Sequence, residues 1–151
     1  MIKLTYLITK RPDLTDEAFE TFWRSAHAKL VESLAETLKA KRYVMSRRID
    51  SVCSVCVSKA RELDTAGYDG VIEIWWDSLE DYQEGAGSPQ GLIALDAIVD
   101  TERRFIDFSR SSSFFVEEQE VFNRTGKPRV TRKRHSKEKL SNETRRDPLI
   151  N

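Results

Sequence analysis

One side chain in this sequence combines chemistry and neighbours suited to proton transfer: His27, in the stretch "TFWRSAHAKL" at 21–30. An imidazole titrates near neutral pH and can give or take a proton, so a histidine on a pocket wall is a usable acid or base. His27 follows Trp23 by four positions, which places it about 40° around a helix from that residue, on the shoulder of an apolar stripe. The alternative is a boundary residue whose ring packs while a nitrogen meets water. The other histidine, His135, lies in a basic segment and is not expected to take part.

Two cysteines, Cys53 and Cys56 in "CSVC", have the spacing of a redox pair or of half a zinc site. No second Cys or His pair completes four ligands, so structural zinc within one chain is not expected. The redox interpretation needs a helix start inside a βαβ unit, whereas this pair falls in a stretch without a clear period, 50–67. The sequence also lacks a glycine-rich phosphate loop, a nucleophile elbow and a metal-ligand cluster. We therefore predict no metal site.

The composition is that of an ordinary globular chain. Of its 151 residues, 39% are hydrophobic and 33% are charged. No apolar run reaches the roughly 18 residues that a membrane span needs. The first residues, "MIKLTYLITKRPDL", read as a strand rather than as a signal segment. We therefore expect a cytoplasmic protein without a membrane partner.

Charge is unevenly distributed, although the formal net charge is zero. The segment 122–151 contains ten Lys and Arg against three Asp and Glu, a net +7, so the preceding residues carry −7. An acidic body is a poor general binder of nucleic acid, because phosphate contacts need clustered cations. The last 29 residues, 123–151, have almost no apolar content and are predicted to form a basic, disordered tail.

The pattern of apolar residues over 1–122 predicts the order β-α-β-β-α-β. Thr15 is a good N-cap for a long first helix, and Ser78 with Asp81 forms a capping box for a short later one. The predicted strands are 2–9, 41–49, 68–77 and 111–122, and the predicted helices are 15–38, 79–85 and 89–105. This order is typical of the α+β, ferredoxin-like split βαβ arrangement, a four-stranded antiparallel sheet with helices on one face.

An apolar pocket could form between that sheet and its helices. Alternate residues of the first and third strands point to the same side of the sheet, and residues of the first helix would close the space above them. The sets are Leu4, Tyr6 and Ile8 on the first strand, Ile72, Ile74 and Trp76 on the third, and Phe22, Trp23 and His27 on the helix. A plain hydrophobic core is the alternative for the same residues.

The opposite face of the third strand carries Val71, Glu73 and Trp75. A sheet with helices on one face leaves this side bare, and self-association would cover it. We therefore predict a homodimer through this face. Glu73 is expected to pair with a cation, with Arg47 or Arg48 as candidates.

Two stretches together resemble the EthD-type domain of the dimeric α+β barrel superfamily. "LTDEAFETFWRSAHAKLV" is similar to a helix motif LT-x-E-x-F-x-x-x-W-x-x-x-H, and "YDGVIEIWWDSLEDY" to a strand motif YDG-x-x-E-x-W. The resemblance covers roughly residues 1–122. It implies a homodimer of ferredoxin-like protomers, each with a pocket between sheet and helices, and no metal or organic cofactor.

The same resemblance points toward polyketide cyclases, dehydratases and decarboxylases, and the motif histidine matches His27. At two other places this sequence differs from the patterns of those relatives. "SPQG" at 88–91 has no histidine where plant-type cyclases have one, and Met45, Ser46 and Arg47 stand where many relatives have a histidine or an amide.

The expected function is therefore a small homodimeric, cofactor-independent lyase or cyclase that acts on an aromatic polyketide-like substrate. Acid/base chemistry would bring about dehydration, decarboxylation or cyclisation, with His27 moving the proton. Tyr6 and Tyr43 would orient phenol or carbonyl oxygens, and Trp23 and Trp76 would stack on the rings. The alternatives are a cofactor-free oxygenase of anthrone-like aromatics and a non-catalytic carrier of a hydrophobic metabolite.

Overall fold

A four-stranded antiparallel sheet forms the centre of the protein in a computed structural model that describes residues 1–64 and 67–125. The strand order is β2-β3-β1-β4. The strands are β1 (Ile2–Ile8), β2 (Arg42–Arg47), β3 (Gly70–Trp76) and β4 (Ser112–Glu117). This confirms the predicted α+β, ferredoxin-like arrangement.

The compact unit that contains the sheet is Met1–Gln119. The basic tail predicted for 123–151 falls outside the described residues from position 126 onward, and its separation from a domain at 1–122 stays a prediction. Among the residues that are described, no helix is both long enough and apolar enough to cross a bilayer.

The helices of the structure are α1 (Asp16–Phe22), α2 (Ala28–Leu34), α3 (Val52–Lys59), α4 (Leu79–Gly87) and α5 (Pro89–Glu102). Thr15 caps α1 as predicted, since its hydroxyl accepts a hydrogen bond from the backbone N–H of Ala18 at 3.1 Å. Ser78 caps α4 as predicted, since the Asp81 N–H donates to Ser78 Oγ at 3.1 Å, and the Ser78 hydroxyl donates to Asp81 Oδ2 at 3.0 Å. Short polar side chains at these positions satisfy N–H groups that a helix start leaves without partners.

A π-helical turn, Trp23–His27, joins α1 to α2. Its hydrogen bonds run from residue i to i+5, so angular positions calculated from 3.6 residues per turn do not hold across it. This accounts for one difference from the sequence-based expectation. His27 does not lie on a shoulder of the helix but is buried, with 1% of its surface exposed, as is Trp23.

The irregular stretch expected at 50–67 contains a regular helix, α3, capped by Ser51. Cys53 and Cys56 lie on α3 as free, exposed thiols. The last strand is shorter than expected, because Glu117 pairs with Ile2, the first residue of β1, and so reaches the end of its partner strand.

The strand register sets the two faces of the sheet. Leu4 is paired with Ile74 and Tyr6 with Ile72, so these four side chains point to the helix side. One of the four, Ile72, also belongs to a buried core cluster. The other members of this cluster are Ile8, Phe19, Trp23, Phe105 and Ile106.

The opposite face carries Val71, Glu73 and Trp75, but Trp75 is not bare. The Arg42 guanidinium lies 4.5 Å from the centre of its ring, and its indole N–H donates to Glu118 at 2.9 Å. These contacts leave only 4% of Trp75 exposed within a single chain.

The ion pair predicted for Glu73 also has a different partner. Its carboxylate accepts a 2.6 Å hydrogen bond from Lys3, whereas Arg47 pairs with Glu20 at 3.1 Å. Lys3 directly faces Trp75 on the neighbouring strand, which brings its ammonium group next to Glu73 on the same face.

Gly70 keeps the start of β3 in contact with the indole ring of Trp23. A Cβ atom at position 70 would lie 2.5 Å from Trp23 Cη2 and 2.7 Å from Cζ3. We expect Gly70→Ala to lower the free energy of unfolding by roughly 1–3 kcal/mol, because the buried ring has to shift. Urea denaturation of the full chain measures this loss.

The matched control is Gly87→Ala at the end of α4, where a Cβ would meet no atom within 4 Å. That substitution should change the free energy of unfolding by less than about 0.5 kcal/mol. Equal stabilities of the two variants would contradict the close packing of β3 on Trp23.

Candidate active site

A cavity of about 400 Å³ lies between the sheet and the helices. Most of its lining is apolar, with a few polar groups, which is how small-molecule sites are usually built. The lining residues are Leu4, Tyr6, His27, Val31, Ala35, Leu38, Ala40, Tyr43, Ile72, Ile74, Trp76, Tyr82, Leu95, Ile98, Val99, Glu102, Phe108, Ser111, Ser112 and Ser113.

Most of the residues predicted for a pocket lie on this wall, and three do not. The strand residues Leu4, Tyr6, Tyr43, Ile72, Ile74 and Trp76 line the cavity together with His27. Ile8 and Trp23 instead belong to the core cluster, and Phe22 packs against that cluster. Trp23 is committed to its contact with Gly70, so it is not available to stack on a ligand.

His27 is held by a hydrogen bond with Thr101 on α5, at 3.1 Å between Nδ1 and Oγ1. We assign the single hydroxyl proton of Thr101 to the Ile98 carbonyl, because that oxygen lies 2.7 Å from Oγ1, closer than His27 Nδ1 at 3.1 Å. Thr101 therefore accepts from His27, which assigns the imidazole proton to Nδ1. Nε2 then carries the lone pair and is left without a hydrogen-bond partner among the described residues.

Burial lowers the pKa of His27 to about 4, because an imidazolium loses its hydration there. The edge of the ring also packs against Phe105, with 5.0 Å between ring centres. At neutral pH His27 is thus an uncharged hydrogen-bond acceptor at Nε2 rather than a cation.

Glu102, in the last turn of α5, is a cavity residue that the sequence analysis missed. Burial raises the pKa of its carboxyl group to about 7. No described residue forms a hydrogen bond or an ion pair with that carboxyl group. A sequence signal did exist: Leu95, Ile98 and Glu102 follow one another at helical spacing, so the glutamate continues an apolar stripe.

Tyr6 and Tyr43 bring two phenol groups to the same end of the cavity as Glu102. Burial is the main cause that raises the pKa of each tyrosine, and the nearby Glu102 carboxylate raises both further. The indole N–H of Trp23 lies near enough to lower the pKa of Tyr43, by more than Glu102 raises it, yet its position falls short of a proper hydrogen bond. Tyr43 Oη is therefore buried with no hydrogen-bond partner among the described residues.

Aromatic side chains line the other end of the cavity. On β3, Trp76 is four residues beyond Ile72, about 13 Å along the strand. Its indole N–H donates to the Leu38 carbonyl at 2.8 Å, and its ring meets Tyr82 edge to face at 5.0 Å. Phe115, which does not line the cavity, packs against Tyr82 with 4.9 Å between the ring centres.

The residues that the structure describes around the cavity offer proton donors and acceptors but no cation. Its titratable side chains are Tyr6, His27, Tyr43, Tyr82 and Glu102, and neither Lys nor Arg lies on the wall. Within the described ranges, no group of three or more His, Cys, Asp or Glu side chains is arranged to hold a metal ion. Neither cysteine lies on the cavity wall. The arrangement suits hydrogen bonding and proton transfer to an uncharged, largely apolar ligand.

Comparison with known proteins identifies the family. The model of the EthD domain matches residues 11–109, which include α1, β2, β3, α4, α5 and most of the cavity wall. No curated protein matches the chain.

Several solved structures share the fold. An ethyl tert-butyl ether D (EthD) family protein from Bacillus halodurans has a TM-score of 0.55 at 18% identity, with 79% of this chain and 99% of that chain covered. HapK from Hahella chejuensis has a TM-score of 0.53 at 13% identity, with coverages of 83% and 100%. A dimeric protein of ferredoxin-like fold from Bacteroides fragilis has a TM-score of 0.50 at 12% identity, with coverages of 78% and 95%.

At these identities the structural likeness shows the fold alone, whereas the domain match covers well over half of the chain. The protein belongs to the EthD domain family.

Proposed function

We propose that this protein is a homodimeric, cofactor-independent enzyme that performs acid/base chemistry on an aromatic, polyketide-like molecule. The reaction would be a dehydration, a decarboxylation or a cyclisation. One observation carries the proposal: His27, Glu102, Tyr6 and Tyr43 all reach a single apolar cavity, where burial shifts the pKa of each group away from its ordinary value. Shifted titrating groups gathered in a cleft are typical of active sites.

The ligand class follows from the shape and lining of the cavity. A volume of about 400 Å³ is at the lower end of the range for small-molecule sites and suits a molecule of two or three fused rings. Trp76 and Tyr82 offer ring faces and edges at one end. The opposite end offers phenol, imidazole and carboxyl groups to the oxygens of such a molecule.

In this proposal His27 contacts the substrate through Nε2. The hydrogen bond to Thr101 fixes the tautomer, so the free lone pair is available to accept a hydroxyl proton of the substrate. Tyr6 and Tyr43 donate hydrogen bonds to its oxygens, and the unpartnered hydroxyl of Tyr43 supports this role.

The dimer is proposed to form through the open face of the sheet. The dimeric relative from Bacteroides fragilis supports association in this fold. On this chain the face presents the partly exposed Val71 and the exposed Phe114 around the Lys3–Glu73 ion pair.

The variant His27→Asn tests the role of Nε2 as a proton acceptor. An asparagine amide can keep a donor toward Thr101 while it removes the acceptor that Nε2 provides. Turnover should fall about 100-fold, because general acid–base groups contribute at least that much. The measurement is native mass spectrometry of the protein after incubation with an extract of aromatic polyketides, with conversion of the bound compound as the readout.

The matched control is Ser25→Ala, which changes an exposed residue of the same π turn. It should convert the bound compound at the wild-type rate. Binding without conversion by the wild type would contradict the proposal and indicate a carrier. Oxygen consumption that accompanies conversion would instead indicate a cofactor-free oxygenase.

The variant Val71→Arg tests the proposed interface. A cation at this position of the open sheet face should convert the dimer into a monomer, because its charge would have to be desolvated in the interface. Sedimentation velocity measures the state of association. Ile93→Arg on α5 is the control, since Ile93 is 71% exposed on the helix side and should leave the dimer intact. A monomeric wild type, or a dimeric Val71→Arg variant, would contradict the proposed interface.

A further inference from the structure

We propose that Glu102 is the general base of the cavity, which removes a proton from a carbon next to a carbonyl group of an uncharged aromatic ketone. This inference rests on the proposed acid/base function and names the group that moves the carbon-bound proton. His27 then serves the oxygen atoms of the substrate.

The position of Glu102 supports this role. The residue occupies the last turn of α5, one position after the Thr101 that fixes His27. It lies close enough to Tyr6 on β1 and Tyr43 on β2 to raise the pKa of both phenols. A carboxylate near two phenols, on the same cavity wall as a neutral imidazole, has donors close by that can bind the oxygen of a substrate carbonyl.

The surroundings also leave the carboxylate free to react. Around the cavity the titratable side chains are His27 from the π turn, Tyr6 and Tyr43 from the sheet, and Tyr82 from α4. None of them is cationic at neutral pH, since burial holds the pKa of His27 at about 4. Glu102 has no ion pair within the described part of the chain, unlike Glu73, which is tied to Lys3.

Glu102 is a stronger base than His27 in this cavity and is therefore favoured for the removal of the proton. A general base works best when its pKa lies near the working pH. Burial raises the pKa of Glu102 to about 7 and lowers that of His27 to about 4, so the carboxylate is the stronger base of the two. In water the order is the reverse.

The chemical step conserves atoms and charge. The Glu102 carboxylate accepts the proton, the C–H electron pair becomes the C=C bond of an enolate, and the carbonyl π electrons move to oxygen. That oxygen accepts hydrogen bonds from Tyr6 or Tyr43, which stabilises the charge as it develops. In a dehydration, the enolate then expels a hydroxyl group from the next carbon. Protonated Glu102 returns its proton to that hydroxyl, water leaves, and the carboxylate is restored.

The same charge narrows the substrate class. A ligand with its own carboxylate would meet the negative charge of Glu102 in a cavity whose wall, as formed by residues 1–64 and 67–125, contains no Lys or Arg. Repulsion between like charges is strong where water is excluded. Dehydration or cyclisation of a neutral ketone is therefore favoured over decarboxylation of an acid.

Hydrogen–deuterium exchange tests the inference without the natural substrate. The probe is 2-tetralone, an uncharged two-ring ketone with acidic C–H bonds beside its carbonyl, incubated with the full-length protein in D₂O. We expect the wild type to catalyse deuterium incorporation, measured by mass spectrometry, with a rate that rises with pH through about 7. Glu102→Gln should reduce this rate about 100-fold. The exposed Glu32→Gln on α2 is the matched control and should exchange at the wild-type rate.

Three outcomes would overturn the inference: no catalysed exchange by the wild type, an unchanged rate in Glu102→Gln, or a rate that rises only near pH 4. If polyketide conversion persists while Glu102→Gln exchanges normally, only the role of Glu102 fails. If no aromatic compound is converted by the wild type, the proposed function fails as well.

Thermal stability supplies a readout that is independent of activity. Because folding raises the pKa of Glu102 from 4.5 to about 7, its protonated form is favoured in the folded state. Its contribution to stability is complete below pH 4.5 and is lost as the pH rises through 7. His27 does not contribute to this loss, because its lowered pKa acts as the pH falls from 6.5 toward 4. The Tm of Glu102→Gln should therefore rise relative to the Tm of the wild type as the pH increases from 5 to 8. Parallel Tm curves would contradict a buried, titrating Glu102.

Discussion

Complete burial of His27 and partial burial of Glu102 at one end of an apolar cavity is the constraint on which the proposed chemistry depends. Desolvation disfavours the charged form of both groups, so it lowers the pKa of the imidazole to about 4 and raises that of the carboxyl to about 7. Burial therefore reverses the order that the pKa values of the two groups have in water. At neutral pH the cavity then contains a neutral imidazole with a fixed tautomer and a carboxyl group near the midpoint of its titration, next to two phenols that stay protonated.

The rest of the fold maintains this environment. The register of β1 on β3 points Tyr6 toward the helices, and α5 brings Thr101 and Glu102 to the same end of the cavity. Beneath the cavity, the contact of Trp23 with Gly70 packs the core against the start of β3. On the far face of the sheet, Lys3 and Arg42 cover Trp75, so the two faces differ sharply in polarity. The helix side of the sheet is apolar, whereas the far face carries the Lys3–Glu73 ion pair.

The sequence predicts the sheet well because strand alternation has a period of two and each strand is β-branched or aromatic, as in "VIEIWW". The same alternation identifies five strand residues of the cavity wall. Helix-borne residues are harder to predict. The π turn moves His27 inward in a way that an ideal helix does not predict, and Glu102, within "DTERRF", resembles the solvated end of a helix. The residue type of Trp75 predicts a bare apolar surface, but tertiary contacts with Lys3, Arg42 and Glu118 cover its ring.

The central claim is that Glu102 titrates near neutral pH inside the cavity, and carbon NMR measures this directly. In protein with ¹³C-labelled glutamate, the side-chain carboxyl signal of Glu102 is assigned by its absence from Glu102→Gln and followed from pH 3 to 9. A midpoint near pH 7 is the predicted result. A midpoint close to 4.5, the ordinary value of a glutamate, would contradict the claim and leave the cavity without a base matched to neutral pH.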